Sequence, residues 1–368
     1  MRSSPLRILI VGAGIAGLAV ARALRLAGFR PDVTDRLPAG ESTDVGLYLP
    51  GNAARALHRL DLHDPVRPLG QVIHRQRFFD ASGAPLCQVD LDALWAGVGE
   101  CRALPRSDLH RVLLSGAGGA VRHGAEVRTL ELLPGAVGVT FTDGTRTEYD
   151  LVIGADGPRS SVRTLAALGG PPRPAGHVVY RAVLRDGPAV TDWTALLGQR
   201  CGLLLVPIGE GRLHFYADEA GTEPPADPLA RLRELFADYR GPVPEVLDTL
   251  DRVDVGITDE VELGRWHRGR VLLVGDAAHA TAPTLSQGAA MALEDAVVLA
   301  ESLRAAGSVE AALMAYESRR RPRTRWVADR TRDRNRTRDV PPALRDPLLR
   351  GRGGRIFGEH YRLLVGPL

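Results

Sequence analysis

The chain has no lysine: all 47 of its basic residues are arginine. Schiff-base chemistry through a lysine, pyridoxal phosphate anchoring and a Walker-type phosphate lysine are therefore excluded. Cysteine is scarce. Cys87, Cys101 and Cys201 form no CxxC pair; they point to a reducing cytoplasm, and no metal site is expected. No apolar run approaches the ~20 residues of a membrane span, and the first apolar run belongs to a strand rather than to a signal peptide. Charge imbalance is small as well, since a formal +3 does not argue for nucleic acid. With 368 residues, 44% of them hydrophobic, the chain is long enough for two packed cores.

What is present begins with RILIVGAGIAGLAVARAL. Ile8 to Val11 do not alternate with polar residues and read as a strand buried on both faces. Ile15 to Leu26 show apolar residues at helical spacing and no breaker. Between them stand Gly12, Gly14 and Gly17, with Ala16 among them. Such a turn lets backbone approach a phosphate and aims a helix N-terminus, with its unpaired N–H groups, at a pyrophosphate. The next strand, Pro31 to Thr34, ends in Asp35, placed to accept hydrogen bonds from a ribose hydroxyl. The neighbouring Arg36 suits a 2′-phosphate instead, so this motif alone leaves FAD, NAD and NADP open.

Further along, GLYLPGNAARALHRLDL reads as a loop followed by a helix that Asn52 caps. Strands are expected between about 70 and 90, with Ser82-Gly83 as a turn, and SDLHRVLLSG is a helix beginning at Ser107 or Asp108. Residues 125–154 turn to strands around an Asp143-Gly144 hairpin, and 176–218 are strand-like again. A polar helix, LARLRELFADYR, precedes a buried strand, RVLLVGD, and the long helix QGAAMALEDAVVLAESL. RRRPRTRWVADRTRDRNRTR, residues 319–338, holds ten arginines. Its acids Asp329 and Asp333 and its helical spacing favour a solvated C-terminal helix over a nucleic-acid patch. The expected class is α/β: a discontinuous Rossmann-like dinucleotide domain (1–69, 100–175 and 264–330), an inserted antiparallel β-sheet substrate domain (70–99 and 176–263) and a C-terminal helical tail (331–368).

Two more stretches bear on the cofactor: LVIGADGPRSSVR, residues 151–163, and GRVLLVGDAAHATAPTLSQGAAMALEDA, residues 269–296. With GAGIAG they resemble, in order and spacing from residue 6 to about 325, the three signatures of the flavoprotein monooxygenases of the p-hydroxybenzoate hydroxylase type. The resemblance implies FAD. It places Asp156 and Gly157 near the pyrophosphate, Gly275 and Asp276 at the ribityl chain, and Gly46 and Leu47 along the isoalloxazine. Arg106 would reach the flavin linker or ring. Pro283, Gly288 and Ala289 would adjoin the ring, where a helix N-terminus stabilises the charge of reduced flavin by ~0.3–2 kcal/mol. Ser286 departs from the glycine often found in this loop. His279 reads as a histidine satisfied by its own motif, and no side chain is assigned a catalytic role.

The resemblance further implies that NADPH or NADH reduces the flavin and that O2 then adds to it, so that a C4a-hydroperoxide transfers one oxygen to an electron-rich small molecule by aromatic hydroxylation or alkene epoxidation. The expected partner is that small molecule, with no membrane span, no nucleic acid, and a monomeric or homodimeric protein. Two rivals share the motifs: a flavin-dependent reductase or dehydrogenase, and a flavoprotein that binds a metabolite without turning it over. Flavin halogenases need a lysine that this chain lacks. Pocket candidates are Tyr180, Arg181, His214 and Tyr216. Strand alternation allows only one of Tyr180 and Arg181 to face inward and puts His214 and Tyr216 on one face.

Overall fold

The computed structural model of the protein describes residues 6–40 and 45–368. Strand Ile8–Val11 lies between Leu151–Gly154 and Asp32–Asp35, parallel to both, with Ile8 opposite Leu151 and Leu9 opposite Asp32. Val271–Leu273 and Val121–His123 extend this sheet on either side, and the short antiparallel strand His267–Arg268 edges it. Both faces of Ile8–Val11 are buried, which is why its sequence is uniformly apolar. Helix Ile15–Leu26 covers one face and packs on the central helix Gly288–Ala305.

A second sheet of seven strands runs Asp254–Glu260, Arg173–Leu184, Leu213–Ala220, Cys201–Pro207, Trp193–Leu197, Arg75–Asp80, Pro85–Asp90. Its pairs are antiparallel except Trp193–Leu197 with Arg75–Asp80. One face carries a separate core around Tyr180, Phe215, Phe236 and Val246. Two three-stranded antiparallel sheets complete the strands. Val127–Leu133, Ala136–Phe141 and Arg146–Tyr149 form one; Gly46–Leu49, Arg102–Pro105 and Gln71–Val72 form the other.

Several expectations need correction. GLYL is a strand, not a loop, because it pairs residue for residue with Arg102–Pro105. The helix that follows, Gly51–Arg59, has Pro50 at its N-cap. Asn52 lies inside it, fully buried, donating to Gln287 Oε1 and Glu294 Oε1 at 3.0 Å each. Helix Arg106–Ala117 starts one residue before Ser107, after Pro105. Trp193–Leu197 is a strand inside the stretch 176–218 read as strand-like.

The arginine-rich segment is the largest departure. It belongs to helix Val309–Arg336, which runs unbroken through the boundary expected at residue 330. It is not simply solvated: Arg320, Arg323 and Arg334 are buried. Arg320 donates to Asp295 Oδ1 and Glu294 Oε2, both at 2.7 Å, and Arg323 to Glu294 Oε2 at 2.7 Å. Arg323 also donates to the carbonyls of Leu363 and Leu364, at 2.9 and 2.7 Å, tying down the C-terminal end. A helical arginine reaches inward here because the apolar central helix offers it two buried acids.

Breaking one side of such a cluster strands a buried charge, at a cost of ~3–5 kcal/mol. Arg320→Met is therefore expected to lower unfolding stability by about that amount in urea denaturation. Arg146→Met, which removes an exposed pair with Glu131, changes it by less than ~1 kcal/mol.

Candidate active site

Three loops meet at the carboxyl ends of the parallel strands. Gly12 has φ +109°, and a Cβ there would stand 2.4 Å from the Ala155 carbonyl oxygen. A Cβ on Gly17 would stand 1.8 Å from the Gly12 oxygen. Gly275, φ +58°, would meet the Ala16 Cβ at 2.8 Å. The first motif thus packs backbone against the second and against the third. Arg163 joins the latter two, donating to the carbonyls of Pro158, Gly170 and Ala277 at 2.6, 2.8 and 3.0 Å.

Gly14 differs from its neighbours. No atom lies within 4 Å of where its Cβ would be. It is the N-cap of helix Ile15–Leu26, extended in backbone, and no side chain caps that helix or places an acid in its first turn. The space and the uncapped N–H groups together fit a pyrophosphate. Asp35 braces the turn: Oδ2 accepts from the Ala13 N–H at 2.6 Å and Oδ1 from the Leu37 N–H at 2.8 Å. His110 Nε2 lies 2.8 Å from the Ala13 carbonyl oxygen, and Arg36 is exposed beside Asp35. Asp156 Oδ2 accepts from the Ser161 and Val162 N–H groups at 2.8 and 3.1 Å, capping helix Ser161–Leu165. Its Oδ1 is buried without a hydrogen-bond partner among the described residues. Gly157 follows with φ +82°.

At the other end, Asp276 opens into a cavity of about 450 Å³, within the ~300–1,000 Å³ of small-molecule sites. Surrounding protein raises its pKa, while His279 and Arg106 act to lower it. Its Oδ1 would lie 3.8 Å from a Cβ on Gly288, the first residue of the central helix, which no side chain caps. Gly46, Leu47, Arg106, Pro283 and Ala289 line the same cavity. Burial lowers the pKa of Arg106, and Asp276 opposes that shift. Ser286 holds a left-handed conformation, φ +52°, which explains why glycine suits this position. His279 is satisfied as expected, its Nε2 lying 2.7 Å from Asp295 Oδ2. Despite its burial, His279 and Arg320 hold the Asp295 carboxyl down to about 2.

The seven-stranded sheet forms the opposite wall. Arg181, His214 and Tyr216 line the cavity. Tyr180 does not: it points into the other core, where its hydroxyl donates to Glu219 Oε1 at 2.5 Å. His214 Nδ1 accepts the Gly46 N–H at 3.2 Å, and a Cβ on Gly46 would stand 2.2 Å from the His214 Cβ. Burial, with Arg181 nearby, pushes the His214 pKa down to about 4. The imidazole is neutral at pH 7, and its engaged Nδ1 leaves the proton on Nε2. Tyr216 donates to Asp218 Oδ2 at 3.2 Å, and burial raises its pKa, so it remains a phenol. Arg181 lies 3.6 Å from Asp254.

Sequence reasoning missed the Asn52, Gln287, Glu294 and Arg320 cluster behind the helix. The adjacent acids Glu294 and Asp295 in an otherwise apolar helix were its available signal. It also missed Phe78, Trp193, Arg334, Arg338 and Phe357 on the cavity wall. Arg334 and Arg338 belong to the arginine-rich run read as solvated, and the other three come from segments with no local motif.

Asp276 and the uncapped N-terminus of the central helix at Gly288 open on one cavity, with the seven-stranded sheet as its opposite wall. The match to the FAD binding domain family spans residues 6–195 and 213–331, and the chain belongs to that family. It is 37% identical to a 3-amino-4-hydroxybenzoate 2-monooxygenase of Streptomyces cremeus, over 89% of this chain and 86% of the relative. It is 32% identical to an FAD-dependent urate hydroxylase of Klebsiella pneumoniae, over 99% and 100%. The solved structure of Klebsiella pneumoniae HpxO complexed with FAD and uric acid superposes with a TM-score of 0.89 at 28% identity, covering 98% of this chain and 97% of that one. The protein is an FAD-dependent monooxygenase, using NAD(P)H and O2. No helix of the described residues is long and apolar enough to cross a membrane.

Two expectations follow from this geometry. Gly14→Val has room in the ligand-free chain, so it folds normally yet retains no FAD after gel filtration. Gly17→Val, which drives a side chain into the Gly12 carbonyl, loses the fold as well, as circular dichroism will show. The second concerns pH. An unfolded His214, with an ordinary pKa near 6.5, binds a proton that the folded one refuses until about 4. Stability therefore falls as pH drops from ~6.5 toward 4, by up to ~3 kcal/mol. His214→Gln flattens that part of the pH–stability curve.

Proposed function

We propose that the protein hydroxylates a small, electron-rich aromatic compound, an aminohydroxybenzoate-like acid being the best fit. The observation that carries this reading is a single cavity bounded on one side by Gly46, Leu47, Asp276, Pro283 and Gly288 and on the other by Arg181, His214 and Tyr216. Leu197, Leu203, Val206 and Trp193 supply flat apolar wall between the polar groups. A ring fits such a slot, and the polar groups orient it. The Streptomyces relative acts on 3-amino-4-hydroxybenzoate and the Klebsiella relative on urate, both planar and electron-rich.

In this reading the turn at Gly12, Gly14 and Gly17, with Asp35, holds the ADP end of FAD, in the nucleotide domain assigned to 1–69, 100–175 and 264–330. Asp156 and Gly157 stand beside the pyrophosphate. Asp276 accepts hydrogen bonds from the ribityl chain. The uncapped N-terminus at Gly288 and Ala289 stabilises negative charge at the adjoining ring. FAD, when bound, supplies hydride acceptance from NAD(P)H and activation of O2. The chain supplies orientation: His214 donates from Nε2, Tyr216 offers a neutral phenol near Arg338 and Asp218, and Arg181 contributes positive charge to an anionic substrate. The three free cysteines support a cytoplasmic setting.

FAD-loaded protein given NADPH or NADH should consume oxygen faster with 3-amino-4-hydroxybenzoate than without it, and form a ring-hydroxylated product by mass spectrometry. Hydrogen peroxide in place of hydroxylated product, across this acid and urate alike, would overturn the substrate class while leaving the cofactor intact.

A further inference from the structure

Beyond residue 309, every arginine buried among the described residues pairs with a carboxylate, except one. Arg320 and Arg323 pair with Glu294, Arg338 with Asp218 and Arg345 with Asp346. Arg334 is 7% exposed and makes no ion pair among the described residues. Its Nη1 is buried with no hydrogen-bond partner. The groups around it are the rings of Phe78 and Phe357, 5.1 and 4.3 Å from its guanidinium carbon, and the Tyr361 hydroxyl, the Cys87 thiol, His360 and the like-charged Arg338. Arg334, Phe78 and Phe357 all line the cavity described above.

A guanidinium is costly to bury without an anion, and beside this one stand two rings, a phenol and a thiol but no carboxylate among the described residues. Its planar fork matches a carboxylate bidentately. Resting on the aromatic-acid reading above, we propose that Arg334 anchors the carboxylate of the substrate, with Phe78 and Phe357 flanking it. The specificity element is then the C-terminal segment: Arg334 and Phe357 both lie beyond residue 331, where the FAD binding domain match ends.

The test uses FAD-loaded protein, with ligand binding followed by the visible absorbance of the flavin and by thermal unfolding. The probes are 3-amino-4-hydroxybenzoate, its uncharged carboxamide, and the benzoate and benzamide pair that keeps only ring and head group. The wild type should bind each acid at least about tenfold tighter than its amide, as expected of a charge-assisted pair. Arg334→Gln should abolish that preference while leaving amide binding unchanged, and Arg334→Lys should restore part of it. Ligand-free Arg334→Gln should unfold at the same or a higher temperature, since it removes an unpaired buried charge; a purely structural arginine would show a clear fall. An acid preference that survives in Arg334→Gln, or its absence in the wild type for both pairs, overturns the assignment. Arg334-dependent binding of benzoate without turnover of 3-amino-4-hydroxybenzoate supports the anchor and overturns the aminohydroxybenzoate reading instead.

Discussion

The contact between Gly12 and Ala155 governs the nucleotide end of this protein. Two main chains approach there more closely than any side chain permits, and Gly17 closes on Gly12 from the other side. That crowding sets where helix Ile15–Leu26 begins and leaves Gly14 facing open space, the one glycine of the turn with no packing reason for lacking a side chain. A cluster of glycines thus divides into those that build the cradle and the one that leaves it empty for a ligand. Gly275, closing on Ala16, transmits the same geometry to the loop that carries Asp276.

Behind that loop the central helix Gly288–Ala305 depends on charge. Asp295 accepts from the Gly275 N–H at 2.8 Å and pairs with His279 and Arg320, while Glu294 binds Asn52, Arg320 and Arg323. The helix that bears Gly288 and Ala289 is therefore locked to the arginine-rich helix and through it to the C-terminal carbonyls. A rigid support matters for groups that line one cavity, because small displacements of positioned groups cost much in rate.

The seven-stranded sheet separates roles by period. Along Arg173–Leu184, Tyr180 faces the second core and Arg181 the cavity; along Leu213–Ala220, His214 and Tyr216 share the cavity face. Alternation alone permitted one of Tyr180 and Arg181, and burial by Phe215, Phe236 and their neighbours decided which. His214 does double duty there. Its ring fills the volume over Gly46, so the packing of the sheet against this strand requires a glycine there.

Local sequence determined most elements of the nucleotide domain and the three motif loops, because each rests on interactions within a few residues: period, breakers, turns and helix starts. It also determined which residues carry the motifs, Gly12 to Gly17, Asp35, Asp156 and Asp276. What it could not determine is the partner of each charge. Arg320 and Glu294, or Arg338 and Asp218, are far apart in the chain and reveal nothing to a local pattern, so a run of ten arginines read as a wet surface. Only the tertiary structure brings buried acids to Arg320, Arg321, Arg323 and Arg338 and, among the described residues, none to Arg334, because burial and pairing are properties of what packs opposite, not of what stands next in sequence.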